Sequence, residues 1–111
     1  MLSQEQMRTL VEAAADGGLG ERGLRPLLFE GVPEALWGAW PLLRDPRDQL
    51  HSDLAHLGVA PAERGTERPL LAVWLGNAYG LRATRPEGEL FRRLQALVEG
   101  RPEPAPSGPP A

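Results

Sequence analysis

The sequence holds few residues able to do bond chemistry. It has two histidines and no cysteine. The absence of cysteine removes disulfides, thiolate nucleophiles and thiolate zinc sites. His51 and His56 stand five residues apart in one apparent helix. Metal-binding pairs on a helix sit at i, i+4, so a spacing of five puts these rings on different faces. Asp48, Ser52 and His56 do share a face, at i, i+4, i+8, and supply the residue types of a hydrolytic triad. Along one helix such residues stand about 6 Å apart in a row, whereas a triad must converge on one reacting atom. The row reads as a solvated helix face. Gly17-Gly18-Leu19-Gly20 is glycine-rich, but no strand precedes it and the chain has no lysine. A phosphate cradle needs the strand, and a P-loop needs the lysine. The segment reads as a helix terminator.

Three tryptophans are the remaining candidates. Trp74 lies on an apolar helical stripe and belongs in a core. Trp37 and Trp40 stand at i, i+3 in an irregular region, and an exposed ring there would mark a contact surface. Asn77, beside the Trp74 stripe, is expected to satisfy a nearby loop backbone. The expectation is therefore no catalytic residue, no metal ligand and no cofactor.

The elements that carry these residues read as helices. Ser3 and Gln6 have capping-box spacing, Met7, Leu10, Val11 and Ala14 form one stripe, and Gly17-Gly18 ends the helix. Two short helices are expected between Leu19 and Trp40, the first holding Leu24, Leu27, Leu28 and Phe29 and the second opened by Pro33. Asp45 caps the next helix, with Pro46 at its first position, Leu50, Leu54 and Leu57 as its stripe, and Gly58 as its stop. A loop follows over about 59–66. Pro69 then opens a helix whose Leu70, Leu71, Trp74, Leu75 and Ala78 form a wide stripe, the mark of a central helix. Thr84 and Glu87 have capping-box spacing before the last stripe, Leu90, Phe91, Leu94, Leu97 and Val98, with Gly100 as its stop. No segment alternates with period two long enough for a strand. The fold expected is all-α, a compact bundle of five to six short helices.

Length and composition agree with one small domain. The chain has 111 residues, 41% hydrophobic and 24% charged, with a formal net charge of −3. That balance is neither a basic nucleic-acid binder nor a polyanion. The N-terminus lacks the bases and apolar run of a secretion signal, and no window approaches the roughly 18 apolar residues of a membrane span. A cytoplasmic location is expected. All basic residues are arginine, as coding bias in a GC-rich genome would give. Residues 1–100 read as the helical domain. Prolines concentrate in 101–111, where extended polyproline II would span roughly 30 Å. That segment reads as a spacer, a disordered tail or a proline-rich ligand.

Charge is unevenly placed. Residues 1–40 are acidic, with Glu5, Glu12 and Asp16 on the first helix. Residues 65–101 are basic, with Arg82, Arg85, Arg92 and Arg93. A two-signed surface suits head-to-tail contact between copies. These seven residues are the candidate interaction set.

Three segments carry a family resemblance. They are Gln49-Leu50-His51-Ser52-Asp53-Leu54-Ala55-His56-Leu57, then Arg68-Pro69-Leu70-Leu71-Ala72-Val73-Trp74-Leu75-Gly76-Asn77-Ala78, then Glu89-Leu90-Phe91-Arg92-Arg93. The chain resembles the bacterial effector-associated, death-like domains, which include CARD-like modules. The resemblance covers about residues 24–98, and Trp74-Leu75-Gly76-Asn77-Ala78 is its most specific part. It implies a death-fold-like bundle of about six helices without a catalytic site. It also implies an adaptor that binds like domains, on itself or on an effector such as a protease or a nucleotide-binding receptor, in anti-phage defence or regulated cell death. A homo-oligomer is among the expected assemblies; nucleic acid and membrane are not expected partners. The chain is expected to be a standalone adaptor or an excised N-terminal module. The alternative is a helix-turn-helix nucleic-acid module built from the Asp45 and Pro69 helices, although the latter lacks an arginine cluster.

Overall fold

The computed structural model describes residues 2–59 and 69–100. Most of the loop expected at 59–66 and the proline-rich segment 101–111 lie outside the described residues. Six α-helices follow one another, and no strand occurs among the described residues.

Helix α1 is Gln4–Asp16. The Ser3 hydroxyl accepts from the Gln6 N–H at 3.1 Å, and the Gln6 side chain accepts from the Ser3 N–H at 2.8 Å. This reciprocal box satisfies two otherwise orphaned donors. Leu10, Val11 and Ala14 are buried as the stripe requires. Beyond the cap at Gly17, Gly18 takes φ +77°, a left-handed turn suited to glycine. Gly20 then passes so close to Pro46 that a Cβ there would lie 2.6 Å from the proline Cβ.

A 3-10 turn at Arg22–Leu24 leads into α2, Arg25–Leu28, and α3, Glu34–Trp37, follows. Each α-helix has four residues, too short to persist on local hydrogen bonds. Burial of Leu28, Phe29 and Val32 holds them, while Leu27, expected in the same patch, points outward.

Helix α4 is Pro46–Val59. The Asp45 carboxylate caps it, accepting from Arg47 N–H at 2.9 Å and Asp48 N–H at 3.1 Å. The helix does not stop at Gly58: it continues one residue further. Its buried face holds Leu50, Leu54 and Leu57, together with Gln49 and Asp53.

Helix α5 is Leu70–Leu81, with Leu70, Leu71, Ala72, Trp74, Leu75 and Ala78 all buried. Burial around most of its circumference suits its place against α6, α2 and α4, while α1 packs mainly on α4. Helix α6, Pro86–Val98, doubles back along it, and Phe91 meets Trp74 edge-on at 6.4 Å. The capping box expected from Thr84 and Glu87 does not form. Pro86 stands at N1 and forces its predecessor into an extended conformation, so Arg85 (φ −106°, ψ 157°) becomes the N-cap and offers no side-chain cap. Thr84 is displaced one residue outside the helix, and Glu87 turns to Arg85 at 3.4 Å.

Candidate interaction surface

Several of the residues able to do chemistry are engaged in structure, but not all. His51 is exposed on α4. His56 sits under Trp40, rings stacked at 4.9 Å, and its Nδ1 lies 2.7 Å from the Ser52 backbone carbonyl. That bond goes to the Ser52 main chain, not to its hydroxyl, so Asp48, Ser52 and His56 remain a row. No group of three or more His, Cys, Asp or Glu side chains is placed to hold a metal among the described residues. Asn77 does what its position suggested: its Nδ2 donates to the Leu28 and Glu30 carbonyls at 2.7 and 2.8 Å, tying α5 to the end of α2. Trp37 and Trp40 are both half-buried. Trp37 stacks on Phe29 at 5.0 Å and donates its Nε1–H to the Val32 carbonyl.

A buried polar network at the base of this aromatic group escaped the sequence reading. Arg25 grips Asp53 with both arms of its guanidinium, Nε to Oδ2 at 2.9 Å and one terminal nitrogen to Oδ1 at 3.0 Å. Both residues are buried, at 7% and 3% exposure. The Arg25 cation also lies 5.4 Å from the Phe29 ring and 5.2 Å from the Trp37 ring. Gln49 extends the network. Its Nε2 donates to Asp53 and to the Pro41 carbonyl, and its Oε1 accepts from the Leu43 N–H at 2.7 Å. The signal in the sequence was Asp53 itself, a charge at i+3 between Leu50 and Leu57 on the buried face.

The charged residues of the candidate set divide sharply. Glu5, Glu12 and Asp16 are exposed on α1. Arg82 turns inward, its Nε donating to the Gly17 carbonyl at 2.8 Å and an arm to the Leu81 carbonyl. Arg85 pairs with Glu87, and Arg92 with Glu89 at 2.7 Å. The hydrogen bond and charge of Glu89 raise the Arg92 pKa above the ordinary arginine value. Arg93 lies on α6 beside Glu5, both lining one open groove between α1 and α6. A second open groove, between α1 and α4, is lined by both signs: Arg8 and Arg47, Glu12 and Asp48.

The exposed large apolar side chains include Leu42 at 62%, Leu27 at 47%, and Leu43 and Leu97 at 36%. Helix α5, proposed as a groove-reading helix in the nucleic-acid alternative, carries no basic residue and buries its main face. No described helix is long and apolar enough to cross a membrane.

Comparison with curated proteins and with solved structures finds no match to either. The family profile of effector-associated domain 5 matches residues 1–111, the whole length of the sequence. The chain belongs to the effector-associated domain 5 family.

Proposed function

We propose that this domain is a non-catalytic adaptor. It recruits or assembles an effector, of the protease or nucleotide-binding receptor type, by binding a like domain carried by that effector. The setting is the bacterial cytoplasm, in anti-phage defence or regulated cell death. The observation that carries this reading is the match over the whole sequence to a family described by its association with effectors. The internal economy of the domain supports it. Asn77, Asp53 and Arg25 tie helices together, and His56 is bonded within α4 and stacked on Trp40. What remains at the surface is apolar and charged area of the kind that docks proteins.

The test is direct binding. The purified chain is mixed with an effector carrying an effector-associated domain, and the complex mass is measured by light scattering at low and high salt. A complex that requires the effector's own helical domain, and weakens with salt, is the expected result. An effector that binds equally well after deletion of that domain sinks the proposal.

A further inference from the structure

The bundle has two dissimilar ends. At one end the Arg82–Gly17 bond and the contact of Gly20 with Pro46 gather the C-terminus of α1 and the N-terminus of α4. At the other end the first turn of α1, with Ser3 and Gln6, lies beside Leu94 and Leu97 of α6 around the α1–α6 groove. The 13 residues of α1 set the ends about 20 Å apart.

The first end carries a knob. Residues 41–44 lead into α4 and hold Leu42 and Leu43 outward. Their backbone is fixed: Gln49, only 7% exposed, clamps the Pro41 carbonyl and the Leu43 N–H and is itself braced by Asp53. Apolar side chains shown on a fixed backbone lose little freedom on docking. The second end carries a recess, where Leu90, Leu94 and the exposed Leu97 line the groove and Glu5 stands on its wall.

The charges match. Arg44 follows the two leucines and is exposed; Glu5 is exposed at the groove; neither carries an ion pair among the described residues. Arg93 also lines the α1–α6 groove, but three leucines stand there, Leu90, Leu94 and Leu97. The α1–α4 groove offers only Met7 and Val11 as apolar lining and sets two arginines, Arg8 and Arg47, against Arg44. Knob and recess lie at opposite ends, so one chain cannot satisfy its own pair.

We propose that the Leu42–Leu43 knob of one copy docks into the α1–α6 groove of a second copy, with Arg44 of the first paired to Glu5 of the second. The contact is heterologous, so it repeats from copy to copy. A patch this small gives weak, concentration-driven association. The inference rests on the adaptor reading and names the surface it uses.

Light-scattering mass against concentration tests it on the full chain. Wild type should rise in mass with concentration. Leu42→Ser, Glu5→Arg and Arg44→Glu should each weaken association about tenfold while keeping the helical circular dichroism of the parent. The decisive arm mixes the two charge variants. Glu5→Arg and Arg44→Glu each repel their own kind, but together every knob meets a groove of opposite charge, so the mixture should recover wild-type mass. Single variants that associate like wild type, or a mixture that fails to recover, overturn the proposal. A wild-type chain that stays monomeric up to its solubility limit also overturns it. That result leaves the adaptor reading to the effector-binding experiment, which needs no self-association.

Discussion

Removing the Asp53 carboxylate should be among the most damaging single changes available to this domain. Asp53→Ala deletes three hydrogen bonds, two from Arg25 and one from Gln49. It leaves the Arg25 guanidinium 7% exposed with no counter-charge. Breaking a buried pair by deleting one partner costs about 3–5 kcal/mol, mostly the desolvation of the abandoned charge. A domain of this size holds about 5–15 kcal/mol in all, so a large share is lost. With a urea m-value of about 1–1.5 kcal/mol/M, the unfolding midpoint should fall by roughly 2–5 M. Tryptophan fluorescence reports the transition, because Trp37 lies against Arg25. The double variant Arg25→Met, Asp53→Leu removes both charges and keeps volume, so it should cost far less than the two single changes together. Single losses under about 1 kcal/mol, the range of an exposed pair, would refute the view that this network is a buried brace.

Other outcomes follow from neighbouring contacts. Asn77→Ala strands the Leu28 and Glu30 carbonyls and should cost about 1–2 kcal/mol, a fall in Tm of roughly 4–16 °C by calorimetry. Gly80→Ala should stabilise by about 0.5–1 kcal/mol, since a Cβ there meets nothing within 4 Å and the position is helical. Gly20→Ala should do the opposite, about 1–3 kcal/mol of loss, because its Cβ runs into Pro46; equal urea midpoints for these two variants would contradict the packing described. Gln49→Ala should release the Leu43 N–H to fast hydrogen exchange, and protection unchanged there would mean the clamp on residues 41–44 is not what holds them.

Much of this architecture was legible from spacing alone. The Ser3–Gln6 box, the Asp45 cap, the stripe of α5 and the role of Asn77 are all local patterns with one physical solution. The failures share a cause. Thr84 and Glu87 had the right spacing, but the steric demand of Pro86 on its predecessor overruled it. Arg25 and Asp53 are 28 residues apart, and no local rule pairs them. Charge was counted correctly along the chain, yet counting cannot say which arginines are already engaged. Arg82, Arg85 and Arg92 are, whereas Arg44, outside both counted stretches, carries no ion pair among the described residues. The fixed presentation of Leu42 depends on Gln49, a residue whose burial only the fold reveals.

The central position of α5 also governs how the domain is made. On the ribosome, α4 emerges before α5, and α1 emerges before both helices it packs on, α4 and α6. Synthesis from Gln4 to Leu70 takes roughly 3–13 s at about 5–20 residues per second. Throughout that interval α4 lacks α5, and only α1 is present to pack on it. α6 and the Arg82 latch to Gly17 come later still. The nascent chain therefore passes through a window in which α1 and α4 have each other but neither α5 nor α6, so the core is only half closed.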